Sequence, residues 1–109
     1  MKIVYHKDLA NGRWYKLTFA QQMGNIGSEI YRSLQAKEKY PERFEQASDR
    51  MLELFDLTLS NPKCTSSQRK ETARLREGIC SYLWGENEYD LDPNFLNKYF
   101  FAFGLIANQ

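Results

Sequence analysis

One histidine, two cysteines and no glycine-rich phosphate loop are spread over 109 residues, so the chain holds little from which to build a reaction centre. The imidazole, His6, lies outside every helix-length segment and is expected to be an exposed side chain. The Glu-x-x-His pairs of a di-iron or di-manganese bundle need carboxylate and imidazole three residues apart on one inward face, so they cannot form. Triads with histidine as base fail on the same ground. No arginine and histidine stand a few residues apart in a helix, as one class of helical ribonuclease requires. Cys64 and Cys80 lack the paired spacing of a zinc or redox motif and read as two free thiols. No metal, cofactor or catalytic set is expected. No apolar run approaches the roughly 18 residues of a membrane span, and Met1 to Asp8 lack the pattern of a signal peptide. The cytoplasm is the expected compartment.

Charge of one sign is also lacking: 15 basic and 14 acidic residues leave a formal net charge of +1. That balance argues against a protein whose whole surface attracts nucleic acid, while leaving a local basic face open.

What the chain does have is four segments whose apolar residues recur every three or four positions. The first helix is expected to start near Trp14 to Thr18 and run to about Lys39, stacking Phe19, Met23, Ile26, Ile30 and Leu34 on one stripe. Pro41 suits the first position of a second helix, with Phe44, Ala47, Met51, Leu54, Phe55 and Thr58 in phase until Asn61-Pro62. Thr65 and Gln68 form a capping box for a third, whose stripe is Thr72, Leu75, Ile79, Tyr82 and Leu83. Gly85 is expected to close it in a left-handed conformation. Asp92-Pro93 opens the last helix, which carries Leu96, Tyr99, Phe100, Phe103 and Ile106. Each stripe needs facing stripes to leave water, so the expected fold is all-α: an antiparallel up-and-down four-helix bundle over residues 13–109. Residues 1–12 begin with the β-prone run Lys2-Ile3-Val4-Tyr5-His6 and end on the turn signal Asn11-Gly12. They read as a short extended N-terminal leader, either flexible or paired with another copy.

Three groups of residues are candidates for function. Lys63, Arg69, Lys70, Arg74 and Arg76 outweigh the acids around the third helix and are the phosphate-facing candidates for RNA or DNA. An all-acidic turn, Glu86, Glu88, Asp90 and Asp92, lies opposite them, and lacks the glycine and closing glutamate of a calcium loop. Glu29, Asp56 and Arg76 flank the apolar stripes and form a candidate buried ionic network, the one charged set that an enzyme could use here. Arginine stems that snorkel to water are the simpler account. Trp14, Tyr15, Trp84 and Tyr89, with Gly24 and Gly27, are the interface candidates. Tight packing of two helices within the bundle is the favoured explanation for the glycines, since each costs roughly 1 kcal/mol in a helix.

Trp14-Tyr15-Lys16-Leu17, Gln22 to Glu29, Leu54 to Thr58, Arg74 to Glu77, Gly85 to Tyr89 and Lys98-Tyr99-Phe100 together resemble a group of short bacterial four-helix-bundle proteins with no assigned activity. The likeness covers nearly everything after residue 13. In length and helix pattern the chain is also loosely similar to the proteins encoded in 23S ribosomal RNA intervening sequences and to the accessory variability determinants of diversity-generating retroelements. That second likeness implies homopentameric assembly with a basic surface for nucleic acid. The expectation that follows is a non-enzymatic, self-associating accessory or scaffold protein, in a ribonucleoprotein or retroelement setting. A module that recognises only protein, through its aromatic ends and the Gly24/Gly27 face, is the alternative.

Overall fold

The computed structural model describes residues 5–107, and within them the protein is all-helical, with no strand. Four α-helices form the body: α1 Phe19–Ala36, α2 Pro41–Leu59, α3 Ser66–Trp84 and α4 Pro93–Ala107. Their limits follow from side-chain chemistry. At α1, Thr18 is extended and its Oγ1 accepts from the Gln21 N–H, while the Gln21 Oε1 accepts from the Thr18 N–H. This capping box sets the start of α1 at the end of the expected Trp14 to Thr18 range, and the helix closes at Ala36, short of Lys39. Thr65 and Gln68 build the same box for α3. Pro41 and Pro93 occupy first helical positions, and Asp92 Oδ1 accepts from the Asn94 N–H at 3.0 Å.

Gly85 ends α3 differently from expectation, at φ −119°. The positive φ values fall instead on Asn87 (52°) and Asp90 (50°), residue types that tolerate the left-handed region. Asn87 also fixes the turn with its own amide, donating to the Leu91 carbonyl and accepting from the Leu91 N–H. The acidic stretch is therefore a tied loop.

Helix α1 lies between α2 and α4, and α2 carries α3 against its other flank. Met23, Ile26 and Ile30 of α1 meet Met51, Leu54, Phe55 and Leu57 of α2, Ile79 and Leu83 of α3, and Leu96 and Phe100 of α4 in one cluster. The apolar stripes expected for all four helices thus converge. Burying a side chain of this size contributes about 1.5–3 kcal/mol, so this interior dominates stability. Two polar pairs lie inside it: the Ser33 and Ser48 hydroxyls share a 2.7 Å hydrogen bond, and the Trp14 indole N–H donates to Thr58 Oγ1 at 2.9 Å. Ile106 departs from its expected place in the stripe and is exposed.

The start of the chain departs further from expectation. Lys2-Ile3-Val4 lies outside the described residues, but Tyr5 and His6 are not an extended leader standing free of the body. Both of their backbone N–H groups donate to the Glu53 carboxylate at 3.0 Å, and His6 Nδ1 lies 3.2 Å from it. The His6 side chain is only 15% exposed, which corrects the expectation of a solvated imidazole. Leu9–Arg13 then make a π-helical segment, kinked where Gly12 takes φ +112°, and Trp14–Lys16 a 3-10 turn. This stretch packs on the core through Leu9, Ala10 and Trp14. It also covers a second face of α2, which is why Glu53 and Leu57, off the main stripe, are buried.

Candidate functional site

The structure disperses the five basic candidates. Arg69 turns back to the end of α2, donating from Nη2 to the Asn61 carbonyl at 3.0 Å and from Nε to the Leu59 carbonyl at 3.3 Å. It caps the Leu59 carbonyl that the helix terminus leaves open and shares the Asn61 carbonyl with the Cys64 N–H. Arg76 Nε stands 3.3 Å from Asp56 Oδ1, an ion pair between α3 and α2 without hydrogen-bond alignment. Lys63 is exposed in the loop between them. Only Lys70 and Arg74, one turn apart on α3, share a surface.

That surface is a cleft between α3 and α4, of about 490 Å³. Leu75, Gly78 and Leu91 line it with Tyr89 and Tyr99, and Lys70 and Arg74 edge it. The nearby carboxylates are engaged: the Tyr99 hydroxyl donates to Glu71 and the Tyr89 hydroxyl to Glu77. The Glu77 charge and that hydrogen bond hold the Tyr89 phenol above its ordinary pKa, so Tyr89 stays neutral.

The expected Glu29/Asp56/Arg76 network is divided. Glu29 Oε1 accepts from Arg32 Nη1 at 2.9 Å on its own helix, and its Oε2 is buried with no hydrogen-bond partner among the described residues. Asp56 and Arg76 pair separately with about a third of each side chain exposed, an arrangement worth little in water. Beside them, burial pushes the Cys80 thiol above its ordinary pKa; Arg76 partly offsets the rise and Asp56 adds to it. Both cysteines are free thiols. Among the described residues no group of three or more His, Cys, Asp or Glu side chains is placed to hold a metal ion, and no helix is long and apolar enough to cross a membrane.

The interface candidates also separate. Trp14 is 1% exposed, so the expectation that it anchors a partner is corrected: its indole is core. Tyr15 is half-buried, whereas Trp84 and Tyr89 are exposed. Gly27 is occupied from within the chain by Phe100 of α4, and Gly24 faces the Gly104 backbone. Intramolecular packing accounts for Gly27, as favoured above, whereas at Gly24 a Cβ would make only ordinary contact.

Sequence periodicity missed an exposed apolar face. From Tyr99 to Ala107, α4 has no charged residue. Phe100 and Phe103 serve the core, while Phe101 (68% exposed), Leu105 (55%) and Ile106 (57%) face outward. Beside Phe101 and Leu105 runs a groove of about 650 Å³, floored by Gly24, Gly27 and Gly104 and edged on α1 by Tyr31 and Arg32. The missing signal was compositional: a helix apolar all round is normally a buried one.

No protein-family model, curated protein or solved structure matches this chain.

Proposed function

We propose that this protein is a non-enzymatic, self-associating helical module, an accessory or scaffold whose contact surface is the outer face of α4 with the adjoining α1/α4 groove. The observation that carries the reading is the uncharged, outward-facing end of α4. Phe101, Leu105 and Ile106 with Tyr31 of α1 leave roughly 450 Å² exposed, taking about 200 Å² for each whole residue. That is within the range of the largest patch on a typical monomer, which is often functional, and about half of the roughly 800 Å² each partner buries in a standard interface.

A second copy is the occupant that fits. One face carries both a ridge, Phe101 and Leu105, and a hollow floored by glycine, so a two-fold axis would set each ridge into the other copy's hollow. Arg32, the charged residue in the groove lining, is already paired with Glu29, so it presents a largely neutralised charge to a second copy. The arrangement of the helices as an antiparallel up-and-down bundle belongs to the same proposal. It is supported by the short connections at residues 37–40, 60–65 and 85–92 and by the position of α1 between α2 and α4. Nucleic acid is left out of this reading because Arg69 and Arg76 are committed to contacts within the chain.

Light scattering on the eluting particle tests it. The wild-type chain is expected at a multiple of 12.9 kDa, and Phe101→Glu with Leu105→Glu at one such mass, with the helical circular dichroism unchanged. Equal masses for the two proteins would refute the proposed surface.

A further inference from the structure

We infer that the cleft between α3 and α4 is a binding site for a small organic anion with a flat apolar body. This goes beyond the self-association surface, which lies on the opposite flank of α4 and uses other residues.

Shape limits the ligand first. At about 490 Å³ the cleft is within the range of small-molecule pockets, and Leu75 and Leu91 give it an apolar floor. The exposed ring of Tyr89 stands at one side, and Tyr99, packed on Phe95, Phe100 and Phe103, closes the α4 side; an exposed aromatic ring favours a flat partner.

Charge limits it next. Lys70 and Arg74 project from the same side of α3, and among the described residues neither makes an ion pair. The one carboxylate in the lining, Glu71, already accepts a hydrogen bond from the Tyr99 hydroxyl. With Lys70 and Arg74 positive and Glu71 negative, the lining carries one net positive charge. The Ser67 hydroxyl, one turn before Lys70, is a further polar group on that rim. An anionic head at the Lys70/Arg74 edge with a ring against the tyrosines satisfies both halves of the cleft. A neutral apolar molecule satisfies one half, and a bare inorganic anion the other.

Two fluorescent probes with the same aromatic body separate these cases: 8-anilinonaphthalene-1-sulfonate, an anion, and uncharged N-phenyl-1-naphthylamine. The sulfonate is expected to bind one per chain and about tenfold more tightly than the neutral probe. Lys70→Ala with Arg74→Ala, both at exposed positions, should remove that preference while weak binding of the neutral probe persists. Leu75→Trp, which fills the floor, should abolish both, with circular dichroism verifying its fold.

Equal affinities in the wild type, or a preference that survives the double change, would overturn the inference. So would probe binding lost in Phe101→Glu/Leu105→Glu and kept in Leu75→Trp, because the probe would then sit on the α4 face. A single-stranded oligothymidylate that binds more tightly than the sulfonate, and depends on the same two cations, would reassign the site to nucleic acid.

Discussion

Phe100 occupies the space that a side chain on Gly27 would need: a Cβ at Gly27 would stand 2.8 Å from Phe100 Cγ and nearer still to its Cβ. The approach of α1 to α4 at this crossing therefore depends on hydrogen in place of a side chain. Gly24, one turn earlier, has only the Gly104 backbone at 3.8 Å, ordinary contact.

Gly27→Ala should accordingly destabilise the protein by roughly 1–3 kcal/mol, the usual cost of overpacking, despite its helix-propensity gain. Gly24→Ala should be neutral or stabilising by up to about 1 kcal/mol. Urea unfolding of both variants checks the contrast. Equal effects would show that α4 is not seated on Gly27.

The Trp14 to Thr58 bond ties the N-terminal segment to α2 within the core. Thr58→Val keeps the shape and strands the indole N–H, which should cost about 1–3 kcal/mol. In the wild type, acrylamide should quench Trp84, half-exposed, far more than Trp14. Equal quenching of the two indoles would place Trp14 at the surface.

Arg69 and Lys70 are neighbours in sequence with different work. Losing the cap on Leu59 and Asn61, Arg69→Ala should lower stability by roughly 1 kcal/mol. Lys70→Ala should leave thermal unfolding unchanged. A charge-reversal triple at Arg69, Lys70 and Arg74 would thus confound folding with binding.

Burial raises the Cys80 thiol pKa in the folded protein, so folding favours the protonated form. Stability from this source is whole below the thiol's unfolded pKa. It falls as pH rises through that value toward the raised folded one, because only the unfolded chain gains by losing the proton. Cys80→Ala should flatten the alkaline decline in melting temperature, and iodoacetamide should alkylate Cys80 in the native protein more slowly than in urea.

The four stripes were legible because burial and helical period coincide there: Met23, Ile26, Ile30, Met51 and Ile79 all fall where spacing puts them. Caps were legible for the same local reason at Thr65 and Asp92. Glu53 was not, since nothing in the period of α2 marks it; it is buried because the first residues fold across a second face. The direction Arg69 takes depends on where α2 ends in space, which spacing along α3 does not encode. The outer face of α4 was present in composition, in the uncharged run after Lys98, but a search for one stripe per helix overlooks a helix with two.

Sedimentation equilibrium of the wild-type chain over a dilution series is the most direct test of the account. A particle heavier than 12.9 kDa that dissociates on dilution, and whose α4 amides lose hydrogen-exchange protection as it does so, is the predicted result. A 12.9 kDa particle at every concentration, with α4 equally protected throughout, would contradict it.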